Sequence, residues 1–143
     1  MGLFSNRSND KLIKDTVSPD ATVPTIYEYV VGIAWYYFSG KRVDILSSYN
    51  LTLSANFEPL VHAGGGQGDI VIYEDDKVVM LEATLMNASS QKRGEWEPVL
   101  RHSINLKVEE ETANTGREVT SFFIADSFDY NTCLLYTSPS PRD

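Results

Sequence analysis

The chain has 143 residues, which suits one domain with a single core, and its composition is that of an ordinary folded protein. The longest apolar stretch, Val30 to Phe38, is broken by Gly32 and too short for a membrane span, and the polar start MGLFSNRSNDKLIKD lacks the apolar segment of a secretory signal. Twelve Lys and Arg against 20 Asp and Glu leave a net charge of −8, which argues against a nucleic-acid partner unless bound cations reverse the local field.

Residues 1–22 are polar and lack periodicity, and are expected to be a linker or frayed N-terminus. Pro24 suits the first turn of a helix, with Thr22 or Val23 at the cap. Ile26, Tyr29, Val30, Ile33, Ala34 and Tyr37 follow at helical spacing, so a helix is expected over 24–38, ended by Ser39-Gly40. Residues 43–53 read either as a short strand or as an irregular crossing. Residues 57–61 read as extended and lead into the glycine-rich loop His62 to Gly68. DIVIY (69–73) and VVMLEAT (78–84) are strand-forming runs around the acidic turn Glu74 to Lys77. Helical spacing returns over 95–108 through Trp96, Val99, Leu100, Ile104 and Leu106. A loop covers 113–117, and 119–128 reads as a buried strand. That order predicts an α/β domain on a mixed sheet.

The final eleven residues, CLLYTSPSPRD, have no periodicity. They resemble the in-frame translation of a sequencing-library adapter, so 133–143 are expected to be non-native read-through. Residues 23–132 are then a catalytic-type domain expected to be incomplete at its C-terminus, and Cys133 carries no redox information.

If the hairpin turns between Asp75 and Asp76, Asp69 and Glu82 are equidistant from its centre and face each other. Opposed Cβ atoms lie about 4.5–5.5 Å apart. Two carboxylates so placed need a proton or a cation between them, and a hard ion such as Mg²⁺ prefers oxygen ligands. Thr84, two residues beyond Glu82, shares its face. The plainer alternative is an exposed acidic hairpin. Glu95 follows Glu82 by thirteen residues, as Glu82 follows Asp69, and His102 lies seven residues further, on the same helical face. Glu28 is either a first-turn surface residue or another acidic member of the site. Lys92, Arg93, Arg101, His102 and Lys107 form a basic cluster just after these motifs.

Asp, a hairpin and Glu-x-Thr resemble the PD-(D/E)xK nuclease signature, with Gly68-Asp69 for Pro-Asp and Thr84 where lysine is usual. PTIYEYVVGIAWYY, DILSSYNLTL, GGGQGDIVIYEDDKVVMLEATLMN and QKRGEWEPVLRH together resemble the AlwI family of type II restriction endonucleases, over about Pro24 to Phe128. The resemblance implies a restriction-endonuclease-like αβββαβ core with a mixed central sheet. It implies catalytic residues Glu28, Asp69, Glu82, Thr84 and Glu95, with Asp69, Glu82 and the Ala83 carbonyl holding Mg²⁺. It implies contacts from Lys92, Arg93, Arg101 and His102 to the phosphates of double-stranded DNA, and phosphodiester hydrolysis as the reaction. Double-strand cleavage would call for a homodimer, and the family's separate N-terminal sequence-recognition domain has no counterpart here. A bacterial cytoplasmic restriction system is the expected setting. The competing expectation is a non-catalytic or inactive truncated DNA-binding module on the same fold. A plain divalent-ion-binding domain lacks any spaced ligand loop.

Overall fold

A computed structural model describes residues 2–62, 67–85 and 97–125. The N-terminal segment is not the expected linker. Two 3-10 turns, Gly2–Ser5 and Arg7–Asn9, lead into helix α1, Asp10–Thr16. Ile13 on α1 is buried with Ala21 and Ile26, and Phe4 packs edge-on against Tyr27 at 5.1 Å between ring centroids. Burying a side chain such as Ile13 contributes about 1.5–3 kcal/mol, enough to hold a short helix that would be marginal alone.

Helix α2, Val23–Phe38, matches its expected span. The Thr22 hydroxyl accepts the Thr25 N–H at 3.4 Å, and Pro24 sits in the first turn, where its missing donor costs nothing. Gly40 ends the helix with φ 76°, a left-handed conformation natural to glycine. Residues 43–53 hold a short helix α3, Ile45–Ser48, capped by the Asp44 side chain, and then strand β1, Thr52–Leu53. Strand β2, Pro59–Val61, pairs antiparallel with β1.

The central sheet contains β3, Ile70–Tyr73, β4, Lys77–Thr84, and β5, Glu118–Ala125, in that order. β3 pairs antiparallel with β4 through Ile70–Leu81 and Tyr73–Val78, the register set by a turn centred between Asp75 and Asp76. Helix α4, Glu97–Thr112, crosses back so that β5 runs parallel to β4, completing a mixed sheet. α4 extends past the expected residue 108. Its last turn is anchored by buried Glu110, which accepts from the Thr115 hydroxyl and lies 3.8 Å from Arg117.

Side chains of β4 alternate between two layers. Val79, Leu81 and Ala83 join Tyr27, Val31, Tyr49 and Ile70 in the main core under α2. Val78 and Met80 pack with Leu106 of α4 on the other face. β5 is not the buried strand expected over 119–128. Its described part, Glu118–Ala125, has one sheet neighbour among the described residues, and alternate side chains along it are exposed, Phe122 among them; 126–128 lie outside the described residues. Trp35 is half-buried, packing against the main core and on Phe122 at 5.2 Å.

Candidate active site

The face of β4 that carries Val78 and Met80 continues to Glu82 and Thr84, by the two-residue period of a strand. Glu82 therefore points toward α4 from the middle strand, where it is only 5% exposed. Asp69 immediately precedes β3 and continues the register opposite Glu82. Its Oδ2 accepts the Ala83 N–H at 2.8 Å, which draws the carboxylate across onto the neighbouring strand.

Gly68 permits this approach. A Cβ there would stand 2.6 Å from Met80 Cγ and 3.4 Å from Glu82 Oε1, so any side chain would push on the core and on the site carboxylate together. The Asn50 side-chain amide donates to the Gly68 carbonyl, and the Asn50 backbone N–H donates to the Asp69 carbonyl at 3.0 Å. Asn50 thus fixes the Gly68-Asp69 peptide from outside the sheet. The sequence had pointed to the acidic residue but not to this anchor, because a lone asparagine in an irregular crossing carries no pattern.

Burial, the facing Asp69 and the more distant Glu28 push Glu82 up to about 9. Burial also raises Asp69, against the opposing pull of the Ala83 N–H and of His102 and His62. Charging both carboxylates of a pair about 4 Å apart costs about 4 kcal/mol at a protein-like effective dielectric. Without a cation at least one of them keeps its proton.

Glu28, on α2, lies within electrostatic reach of Asp69 and Glu82. It is half-buried, and burial followed by the Asp69 charge raises it to about 8. Its Oε2 is inaccessible and has no hydrogen-bond partner among the described residues. Of the two expectations for Glu28, the first-turn surface position does not fit a half-buried carboxyl with an inaccessible oxygen.

His102 on α4 lies 2.7 Å through Nδ1 from Glu82 Oε1 and is mostly buried. Expected as a phosphate contact, it is occupied instead with a site carboxylate. Arg101 is exposed and pairs with Glu97 one helical turn back, with Nε to Oε1 at 3.2 Å. Thr84 is half-buried beside Leu85 at the end of β4, on the Glu82 face. Glu95, Lys92 and Arg93, most of the glycine loop and residues 133–143 lie outside the described residues. Among the described residues no three Asp, Glu, His or Cys side chains are already drawn together as a metal cage, and no helix is long and apolar enough to cross a membrane.

A family model described as AlwI restriction endonuclease matches residues 3–137, nearly the whole chain. The match begins well before the expected start at Pro24 and includes the N-terminal helix. Among solved structures, the fold is similar to the small subunit (R.BspD6I2) of the heterodimeric restriction endonuclease R.BspD6I. The TM-score is 0.57 at 20% identity, over 92% of this chain and 63% of that one. This chain therefore spans less than two thirds of that subunit's length. No curated protein matches.

Proposed function

Because the chain belongs to the AlwI restriction endonuclease family, we propose that it carries the catalytic centre of a Mg²⁺-dependent DNA endonuclease that hydrolyses phosphodiester bonds. The observation that supports this most is the facing pair Asp69 and Glu82, with Glu28 of α2 near enough for the carboxylates to raise one another's pKa. Burial holds all three above the usual carboxylate range, and for Glu28 and Glu82 the neighbouring carboxylates add to it. A merely structural role would leave such a cluster as pure cost.

The donor set fits Mg²⁺. All the groups are hard oxygens, and the orphaned Glu28 Oε2 is the kind of atom a cation or its bound water would satisfy. Mg²⁺ is commonly held by one or two carboxylates, with water and substrate phosphate completing its shell, so a pair such as Asp69 and Glu82 suffices without a closed cage. Bound there, the ion would lower the pKa of a water and offset charge on the phosphate.

The chain's own residues do the rest. Asp69 and Glu82 would hold the ion, and the Ala83 carbonyl would be a further ligand, since an extended residue presents its N–H and C=O to one edge and the Ala83 N–H already meets Asp69. Glu28 takes a proton from the attacking water or orients it. Glu95 joins the acidic set, and Thr84 stands where the wider superfamily carries lysine. Arg101, Lys92 and Arg93 contact phosphates flanking the cut, an affinity contribution without sequence information.

The partner is double-stranded DNA. The similar subunit is described as part of a heterodimeric enzyme, and cutting both strands here calls for a second catalytic centre, from a copy of this chain or from a different subunit. The net charge of −8 favours a second reading, a non-catalytic module on the same fold.

Plasmid cleavage by the complete parent protein, with and without Mg²⁺ and beside its Asp69→Ala variant, separates the two. Mg²⁺-dependent cutting lost in the variant is the expected result. A folded parent that cuts under no divalent ion would move the assignment to the binding module.

A further inference from the structure

Beside the carboxylates, on the α4 side of the sheet, lies a cavity of about 230 Å³ that the proposed metal site does not use. Two residues tie it to that site. His102 lines the cavity and holds Glu82 at 2.7 Å. Gly68 also lines it and immediately precedes Asp69. A group seated in the cavity is therefore next to the place where a phosphate would meet Asp69 and Glu82.

Three elements wall it. Asn105, Leu106 and Glu109 follow His102 by three, four and seven residues, the spacing of one stripe along α4. Val71 and Tyr73 alternate along β3 and so share a face. Ser47 and Ser48 come from α3. Met80 and Leu106, both buried, give the cavity an apolar floor, while Asn105, Glu109 and Gln67 are exposed at its rim.

The chemistry of the lining selects an occupant. Among the described residues that line it there is no Lys or Arg, and Glu109 would repel a phosphate. The Asn50 amide is committed to the Gly68 carbonyl, and the Ser47 and Ser48 hydroxyls donate to the Asp44 carbonyl, which leaves their oxygens as acceptors. The Asn105 and Gln67 carboxamides each offer donors and an acceptor, and no hydrogen bond ties either side chain to another described residue. An apolar floor under a rim of carboxamides fits a flat heterocycle with donors and acceptors along its edge, which is a nucleobase. Carboxamides are natural readers of base edges, and a carboxylate accepts from an exocyclic amino group. The volume lies below the about 300–1,000 Å³ of drug-sized ligand sites, which suits one base and not a pair.

We propose that this cavity takes the base of a nucleotide flanking the scissile phosphate, turned out of the duplex, with Asn105 and Gln67 on its edge and Met80 and Leu106 against its face. The assignment rests on the nuclease reading above. A base stacked in a duplex has both faces covered by its neighbours and cannot offer one to a buried floor, so it must leave the stack to enter. Holding that nucleotide fixes the adjoining phosphate against the carboxylates, a positioning role separate from the metal chemistry.

The test uses the complete parent protein, after its cut position has been mapped, with Ca²⁺ in place of Mg²⁺ to hold the duplex uncut. The fluorescent base 2-aminopurine, quenched inside a stack and bright outside one, is placed in turn at each nucleotide flanking the cut. Fluorescence should rise on binding at one of these positions, to the level of the same base in single-stranded DNA, and not at a position several pairs away. Asn105→Leu, which fills the cavity from an exposed helix position, should lose the rise while melting at the parent's temperature. A mismatch opposite that nucleotide lowers the cost of extrusion, so it should tighten binding to the parent at least about tenfold and to Asn105→Leu by less than about threefold. No rise at either flanking nucleotide, in a complex that anisotropy shows to be formed, overturns the proposal, and so does an undiminished rise in Asn105→Leu. A folded parent that cuts under no divalent ion overturns the nuclease reading and this assignment with it. A cutting parent without the rise overturns this assignment alone.

Discussion

Glu82 on the middle strand and His102 on α4 are joined by a 2.7 Å bond between Oε1 and Nδ1, across the face of the sheet opposite α2. With a cation at the site Glu82 is ionised and accepts the Nδ1 proton, which fixes both the ring tautomer and the carboxylate's rotamer. Removing such an orienting partner usually costs 10–100-fold in metal affinity or activity. His102→Ala should therefore raise the Mg²⁺ concentration needed for half-maximal cleavage by about that factor, and His102→Asn, which keeps a short donor, by less. A Mg²⁺ titration of plasmid cutting checks this. Weakened DNA binding at unchanged Mg²⁺ dependence would instead return His102 to the phosphate contact expected from sequence.

On the proposed metal site, Asp69 and Glu82 work against the fold of the metal-free protein. Asp69→Asn and Glu82→Gln should each abolish cleavage yet raise the melting temperature of the metal-free protein, because either change removes a carboxyl group that the folded chain must keep protonated, or hold charged in a buried place, where the unfolded chain need not. For a chain of this size each kcal/mol relieved shifts the midpoint up by about 3–4 °C. Thermal melts in chelator at pH 8 measure the effect, and a lower midpoint in both variants would mean that the carboxylates are stabilised by a partner other than a metal.

The hairpin was legible because its information is local. Strand-forming runs flank one acidic turn, the turn sets the register, and the register alone puts Asp69 opposite Glu82. Helix α2 was legible for the same reason, through Thr22, Pro24 and the apolar repeat. The N-terminal helix was missed because only Ile13 of its seven residues is buried, too few for a period to show. The exposure of β5 was missed because FFIA is equally apolar whether one face of the strand is covered or both. The partners of the site were the least legible. That Asn50 holds Gly68 and that His102 holds Glu82 both depend on contacts between separate segments. No spacing rule encodes those.

The pH dependence of stability should change sign with the metal. Glu28 and Glu82 have folded values near 8 and 9, above the ordinary carboxylate value of 4.5. The unfolded chain therefore gives up protons at lower pH than the native state does. Their contribution to stability is greatest below about pH 4.5 and is lost as pH rises to about 9. In chelator the melting temperature should fall across pH 5–9. With saturating Mg²⁺, which binds the ionised carboxylates, the gain from metal should grow with pH over the same range. A flat metal-free profile would show that these carboxyl groups are ionised in the native state at neutral pH.

Gly32 offers a test of the scaffold apart from the chemistry. It is buried on α2, where a Cβ would overlap the Tyr49 ring, and the Tyr49 hydroxyl donates to the Tyr29 carbonyl at 2.5 Å. Helix propensity alone would favour alanine here by up to about 1 kcal/mol. The close approach should reverse that, since overpacking a filled core usually costs about 1–3 kcal/mol. Tyr49 cannot retreat freely, because it stacks on Tyr29 at 5.6 Å and immediately precedes Asn50, the anchor of the Gly68-Asp69 peptide. Gly32→Ala should thus lower the denaturant midpoint and slow cleavage through displaced Asp69. Tyr49→Phe, which keeps the ring and drops one hydrogen bond, should cost about 1 kcal/mol and leave cleavage nearly intact. Denaturation curves beside initial cleavage rates for both variants decide it. A Gly32→Ala protein as stable as the parent would show that α2 and the Tyr49 ring are not in the contact described.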